Sequence, residues 1–461
     1  MALRLPLSRR VEAPVISRST LSFIVILMLP ALAVAQPAPE TLSLDAAIKL
    51  AVDSNRALEA SRLQVAKAQE DLAVARTRRL PNFETSVQAS QLLTPVDFSF
   101  PAGSFGDIPG VGPIPAVDTA VSSPTRPSFY VSSQVSQPLT QLVRIGLGIR
   151  NASTSIEIEK EHVRENQRSL VNNVKRLYFA ILQTESALTA TDEAISLYKE
   201  LDRTLTVRVA QKVALKSDSL DVQLRLAQEE VTRMSYANTL ASQKEQFNQL
   251  LGRDVRTAFD VTDVAPVSAS EIDVEAAQKR ALADRPDVRE ARLKVTQADL
   301  DRRSKKAERI PDVSLAVSYL SNFNIDVLPQ NMAAVGVQVK WEPFDWGRKR
   351  SEFTAKSHTV EQARLNVREI EDKAVLEINS RYRTLTEARA MLHVARLGQD
   401  SAREKLRVKT NQYQIQAALL SDVLGLRAEL ASSTDRYQQS LLAFWTAKAD
   451  FEHAVGEDGL R

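Results

Sequence analysis

The chain has 461 residues, no cysteine and a formal net charge of +3. Without cysteine, disulfides, thiol catalysis, cysteine metal sites and an acylated N-terminal anchor are excluded. Scarce aromatics and 13 glycines, beside abundant Ala, Leu, Gln, Arg and Glu, fit long helices with small-residue contacts rather than a large aromatic core.

Residues 1–35 read as a secretory signal. Arg4, Arg9, Arg10 and Arg18 precede an apolar run from Leu21 to Ala35 that ends in Ala33-Val34-Ala35. The run is short for a membrane anchor, and Pro30 interrupts it. Cleavage before Gln36 removes these four arginines and Glu12, so the mature chain is neutral. Nucleic-acid binding then has no electrostatic support.

Residues 36–270 form a first structural repeat. It opens with a helix, followed by strands near 82–92 and 128–138. In these, Phe83, Thr85, Val87 and Ala89 alternate with the residues between them, as do Phe129, Val131, Ser133 and Val135. Between the strands lie eleven Pro and Gly residues from Pro95 to Pro127, the composition of a long exposed loop. Proline breaks helix interiors, and none occurs in 139–265 or 344–461. The first window predicts long helices at 142–211 and 217–252. Val171, Val174, Tyr178 and Ile181 follow the 3-4 rhythm of a coiled-coil seam.

Residues 271–461 repeat this plan. Residues 272–317 run in step with 42–87 at a spacing of 230, and 375–458 with 171–254 at a spacing of 204. Strands near 312–322 and 333–342 precede long helices at 348–416 and 421–456. Val335, Val337, Val339 and Trp341 alternate with Gly336, Gln338 and Lys340. Such alternation suits a membrane barrel strand, but equally a half-buried soluble hairpin. Four strands cannot close a barrel around a lumen, so a membrane reading requires eight strands from two chains or twelve from three. In that reading the valines face lipid, Gln338 and Lys340 face the lumen, and Trp341 lies at a membrane interface. The fold class expected is mainly α with a small β part: an internally duplicated protomer with very long coiled-coil helices. Its two hairpins contribute four strands to an oligomeric membrane barrel.

The signal, the duplicated order of helix, two strands and two long helices, and the segment Val337-Gln-Val-Lys-Trp-Glu-Pro343-Phe-Asp-Trp-Gly347-Arg resemble TolC-type outer-membrane efflux proteins over residues 42–458. The resemblance implies a homotrimer in the outer membrane, with a large periplasmic part. It would be the duct of a tripartite efflux or type I secretion system. A periplasmic adaptor protein and an inner-membrane pump would be its partners, beside outer-membrane lipid.

The periplasmic aperture would lie where each long helix reverses. Ala214, Leu215, Ser217 and Asp218 match Ala418, Leu419, Ser421 and Asp422 in the pattern A-L-x-S-D-x-L. Ser-Asp there suits a cap on the returning helix. Alternatively, Asp218 and Asp422 form carboxylate rings that favour cations, with Lys212, Lys216 and Tyr413 as gate partners. The family commonly places a glycine before this turn; here Val213-Ala214 and Ala417-Ala418 stand instead.

No catalytic, cofactor or metal constellation is present. His162, His358, His393 and His453 lie apart, without paired-histidine spacing. An enzyme is not expected. The alternative function is a secreted coiled-coil scaffold without a pore, which would have no use for matched alternating strands.

Overall fold

The structure is a computed structural model that describes residues 40–91, 93–123, 125, 127–264, 272–324, 329–415, 417–418 and 420–457. The segment read as a secretory signal lies outside the described residues. By internal contacts the chain divides into Met1–Glu40 and Thr41–Arg461. The second unit carries the architecture that follows.

The first half begins with β1 (Glu40–Leu42), α1 (Leu44–Ser54) and α2 (Arg56–Thr77). Ser43 caps α1, its hydroxyl accepting from the Ala46 amide. Asn55 caps α2 by accepting from the Ala57 and Leu58 amides at 3.0 Å each. Then come β2 (Asn82–Gln91), β3 (Val96–Phe100), β4 (Asp107–Ile108), β5 (Gly112–Pro113), β6 (Thr119–Ser123) and β7 (Pro127–Pro138). The helices α3 (Leu142–Ala210) and α4 (Lys216–Leu250) follow, and β8 (Phe259–Val261) closes the half.

The second half repeats the order without the insert: α5 (Val274–Asp284), α6 (Pro286–Ala307), β9 (Asp312–Phe323), β10 (Asn331–Lys340), α7 (Arg348–Gln414) and α8 (Leu420–Val455). Asp273 caps α5 as Ser43 caps α1. At 69 and 67 residues, α3 and α7 are each about 100 Å long at ~1.5 Å per residue. Helices of that length need tertiary support along an apolar seam. In α3 the seam includes Val171, Val174, Tyr178 and Ile181, all at most 4% exposed.

Two clusters hold the helices together. The larger joins α1, α3, α4 and β8 through Ala47, Ile48, Tyr178, Ile181, Phe247 and Phe259. The smaller joins α5, α7 and α8 through Ala281, Ile378, Leu385, Phe444 and Phe451. Polar links tie the halves across α3 and α8, among them Lys175 to Glu452 at 2.8 Å and Asn172 to Asp450 at 3.1 Å.

The insert read as a loop has structure of its own. β3 pairs with β6 and β4 with β5, both antiparallel. Its glycines hold the turns, with positive φ at Gly103, Gly106, Gly110 and Gly112. Within the segment read as a long exposed loop, the Pro/Gly density supplies the turn chemistry of two short ladders.

Candidate functional site

The four long strands form one antiparallel sheet in the order β10-β9-β7-β2. Directly paired residues lie on the same face, so the registers sort the sheet into two surfaces. One carries the row Phe83, Val135, Val317 and Val335. It continues with Leu315 opposite Val337, Val313 opposite Val339, Val131 opposite Val87, and Phe129 opposite Phe323. The other carries Glu84, Gln134 and Ser318, then Gln88, Tyr130 and Asn322, then Ser314 with Gln338 and Asp312 with Lys340.

The apolar face is uncovered. Val335, Val337 and Val339 are 72%, 64% and 61% exposed, and Phe83 and Val87 are similarly open. An uncovered apolar surface of this extent marks an interaction surface. β10 and β2 are also unpaired edges, which proteins ordinarily blunt or join to another chain. The sequence-predicted split is present: the three valines share the apolar face, and Gln338 and Lys340 the polar one.

The strand-to-helix link after β10 adds aromatics. Trp341 is exposed, and beyond it the rings of Phe344 and Trp346 meet edge-on at 4.7 Å, both open. Trp346 and Gly347 adopt left-handed φ values of 53° and 86°, which turn the chain into α7. The Asp345 carboxylate accepts from the amides of Lys349 (2.9 Å) and Gly347 (3.1 Å). These backbone hydrogen bonds, that of Lys349 first, hold its pKa below the usual value. Sequence reasoning named Trp341 and passed over Phe344 and Trp346; their crowding in Trp-Glu-Pro-Phe-Asp-Trp was the available signal.

At the far end of the helices, α3 stops at Ala210. The amides of Gln211, Lys212 and Val213 return to the carbonyls of Val207, Val209 and Arg208. Lys212 takes the left-handed position, φ 60°, where glycine is usual. Ala214 follows in the turn, and Leu215, extended at φ −81° and ψ 147°, leads into α4.

The expected Ser-Asp cap does not form here. α4 begins at Lys216, its N-cap position is Leu215, and no side chain caps it. Ser217 and Asp218 already lie inside the first turn, where the Ser217 hydroxyl contacts the Asp218 carboxylate at 3.4 Å. From there Asp218 complements the positive end of the helix. In the second half, Ala418 precedes α8, Leu419 lies outside the described residues, and Ser421 and Asp422 lie in the first turn.

Asp422 meets Lys409 of α7 at 3.9 Å. Both side chains are more than a third exposed or close to it, so the pair contributes at most about 1 kcal/mol. Among the described residues, Lys212, Lys216 and Tyr413 make no hydrogen bond or ion pair with either aspartate. Lys409 escaped sequence reasoning because its closeness depends on how α7 and α8 register.

Among the described residues, no group of three or more His, Asp or Glu could hold a metal, and no helix is long and apolar enough to cross a membrane. The apolar sheet face and the two helix reversals are thus the surfaces that need a function.

The profile of the Outer membrane efflux protein family matches residues 47–253 and 277–457, and the chain belongs to that family. The two matched segments fall one in each repeat. The outer membrane efflux protein BepC of Brucella suis is 21% identical over 406 residues, covering 85% of this chain and 80% of BepC. An uncharacterized protein of Haemophilus influenzae is 22% identical over 281 residues; the match spans 59% of this chain and 61% of that protein's length. The CmeC outer membrane channel of Campylobacter jejuni has the same fold, with a TM-score of 0.73 at 15% identity, over 90% of this chain and 86% of CmeC. The chain is accordingly an outer membrane efflux protein with the fold of the CmeC channel.

Proposed function

We propose that three copies pool their sheets into a twelve-strand barrel and their long helices into a twelve-helix periplasmic tunnel. The carrying observation is the sheet with one exposed apolar face and two open edges. Open edges are not tolerated in hydrocarbon. Joining β10 of one copy to β2 of the next closes the ring without them. Eight strands from two copies would enclose a space about filled by side chains; twelve leave a passage. The apolar face then meets lipid, the polar face lines the passage, and Trp341 marks an interface.

The duct serves a tripartite efflux or type I secretion system, taking substrate from an inner-membrane pump through a periplasmic adaptor that docks at the helix reversals. Asp218 and Asp422 ring the periplasmic mouth with carboxylates. No reaction is catalysed and no cofactor is needed: the work is conduction.

The test is an unheated gel together with planar-bilayer recording. A heat-sensitive trimer with cation-selective channels is expected, and Asp422→Ala should weaken that selectivity. A monomer without conductance would end the duct reading; trimeric channels with unaltered selectivity in Asp422→Ala would end only the gate assignment.

A further inference from the structure

A cavity of about 390 Å³ opens where α5, α7 and α8 meet. Ile272, Leu385, Lys448, Phe451 and Val455 are among the residues that line it. In the repeat registers these correspond to Leu42, Ile181, Lys244, Phe247 and Leu251. In the first half that place is filled by β8.

There Phe259 is 3% exposed and stacks on Phe247 with ring centroids 5.4 Å apart, among Leu42, Ile181 and Leu251. The next residue, Asp260, accepts from Lys244 at 3.1 Å. The Tyr178 hydroxyl lies between the two strands, at 3.0 Å from the Leu42 carbonyl and 2.7 Å from that of Thr262. An extended segment with an aromatic residue followed by an acid is therefore what this joint accepts.

The second-half joint keeps the receiving side chains Ile272, Leu385, Phe451 and Val455. Phe451 packs on Tyr382 at 6.2 Å, but among the described residues the Tyr382 hydroxyl makes no hydrogen bond. Trp445 lines the cavity where the first half has Ala241, and its indole N–H is buried with no acceptor among the described residues. A buried donor of this kind ordinarily has a partner. The charges around the acid's position have also changed. Lys244 is shared between Asp260 and Glu185, whereas Arg389 replaces Glu185 and leaves Lys448 with Glu452 at 3.8 Å. Two bases now flank the place an acid would take.

We propose that this groove docks an extended segment of a partner protein, one that presents a large apolar side chain followed by an acidic residue and completes the joint as β8 does in the first half. The apolar side chain enters beside Phe451, and the acid meets Lys448 and Arg389. Such segments gain specificity from pockets for alternate side chains. The groove needs neither conduction nor the aperture, so the inference is independent of the function proposed above.

The test uses the full-length detergent-solubilised protein and a labelled synthetic peptide with the sequence of residues 256–264, followed by fluorescence anisotropy. Saturable binding is expected. It should weaken at least about tenfold, ~1.4 kcal/mol, when the peptide's phenylalanine is replaced by serine or its first aspartate by lysine. Arg389→Glu and Lys448→Glu, both on partly exposed side chains, should each weaken it without altering the helical signal. Absence of saturation, or indifference to both protein variants, would overturn the proposal. Binding that strengthens tenfold on deletion of residues 458–461 would assign the groove to the chain's own end, and peptide that dissociates oligomers would assign it to a second copy; either outcome overturns a partner segment.

Discussion

The two halves close the same joint with different chemistry. In the first, the Asn55 side chain donates to the Leu250 carbonyl at the end of α4, at 2.9 Å. In the second, the register places Arg285 at Asn55's position and Ala454 at Leu250's. Arg285 donates to the Ala454 carbonyl, also at 2.9 Å. The geometry is common: a side chain between two short helices ties down the last turn of a long one, whose carbonyls lack helical partners. The residue is not. Asn55 is neutral and also caps α2, whereas Arg285 cannot cap and instead pairs with Asp287 at 2.8 Å and Glu377 at 2.9 Å. Arg168 adds a second guanidinium on the neighbouring His453 carbonyl. What duplication preserves is a place for a donor; the first half fills it with a neutral amide, the second with a guanidinium tied to two carboxylates.

The largest difference should appear at the glycines that end the two long returns. Gly252 and Gly456 both have left-handed φ, 72° and 98°. A Cβ on Gly252 would collide with the backbone of Ser54, while the atoms nearest to one on Gly456 are those of Arg285, its Cγ at 3.4 Å. Gly252→Ala should therefore lose more than about 3 kcal/mol, a backbone clash being one of the few routes to so large an effect. Gly456→Ala should lose about 1–2 kcal/mol from conformational strain alone. Thermal melts followed by circular dichroism check this, and equal losses would remove the claim that the first joint is the tighter.

Next comes Arg285→Met. It leaves Asp287 and Glu377 without their guanidinium, at a cost of about 2–3 kcal/mol at neutral pH, below the figure for a fully buried pair because both carboxylates are about a third exposed. The effect should depend on pH. Burial raises the Asp287 pKa, but the hydrogen bonds and charge of Arg285 outweigh it, and the net shift is downward. A depressed carboxyl stabilises the fold above its unfolded pKa, about 4, and loses that contribution as pH falls through the lower folded value. The gap between wild type and variant should thus narrow as pH drops below about 4. Urea titrations at neutral and acidic pH measure it; a gap independent of pH would mean that Arg285 acts only through its bond to the Ala454 carbonyl. Asn55→Ala, which takes no partner from a charged group, should show no such narrowing.

Much of the architecture was legible because it rests on one-dimensional rules. Proline exclusion marked where α3, α4, α7 and α8 could run, and strict alternation in 335–341 sorted that strand's faces. The joints were not legible. Asn55 and Leu250 are 195 residues apart, and a side chain bonded to a distant carbonyl leaves no local pattern. The tips were misread for a local reason. Ser217-Asp218 has the composition of a cap, but α4 starts one residue earlier, and Leu215 takes the capping position without a polar side chain. The left-handed turn likewise falls to Lys212, which no glycine rule would select. The repeat registers still point to the joints: the spacing of 230 sets position 285 opposite 55, and the spacing of 204 sets 454 opposite 250 and Gly456 opposite Gly252.

The smallest expected effect concerns the two matched tyrosines. Tyr178 and Tyr382 occupy the same seam position, yet only Tyr178 is fully buried, and its hydroxyl bridges β1 and β8, also accepting from the Thr262 amide at 3.0 Å. Removing that hydroxyl leaves buried backbone groups with fewer partners, a cost of about 1–2 kcal/mol. Tyr382 makes no hydroxyl hydrogen bond among the described residues, so Tyr382→Phe should stay within about 0.5 kcal/mol. Local opening separates the cases better than a global melt, because the bridge holds one short ladder rather than the whole helix pair. Hydrogen exchange of the segment around Thr262 should accelerate in Tyr178→Phe and remain unchanged in Tyr382→Phe. If the peptide of residues 256–264 occupies the second groove, its presence should make Tyr382→Phe costly as well, since the hydroxyl would then have a strand to bridge. Exchange at Thr262 that is insensitive to Tyr178→Phe would show that stacking of Phe259 on Phe247, rather than the hydroxyl, holds β8 in place.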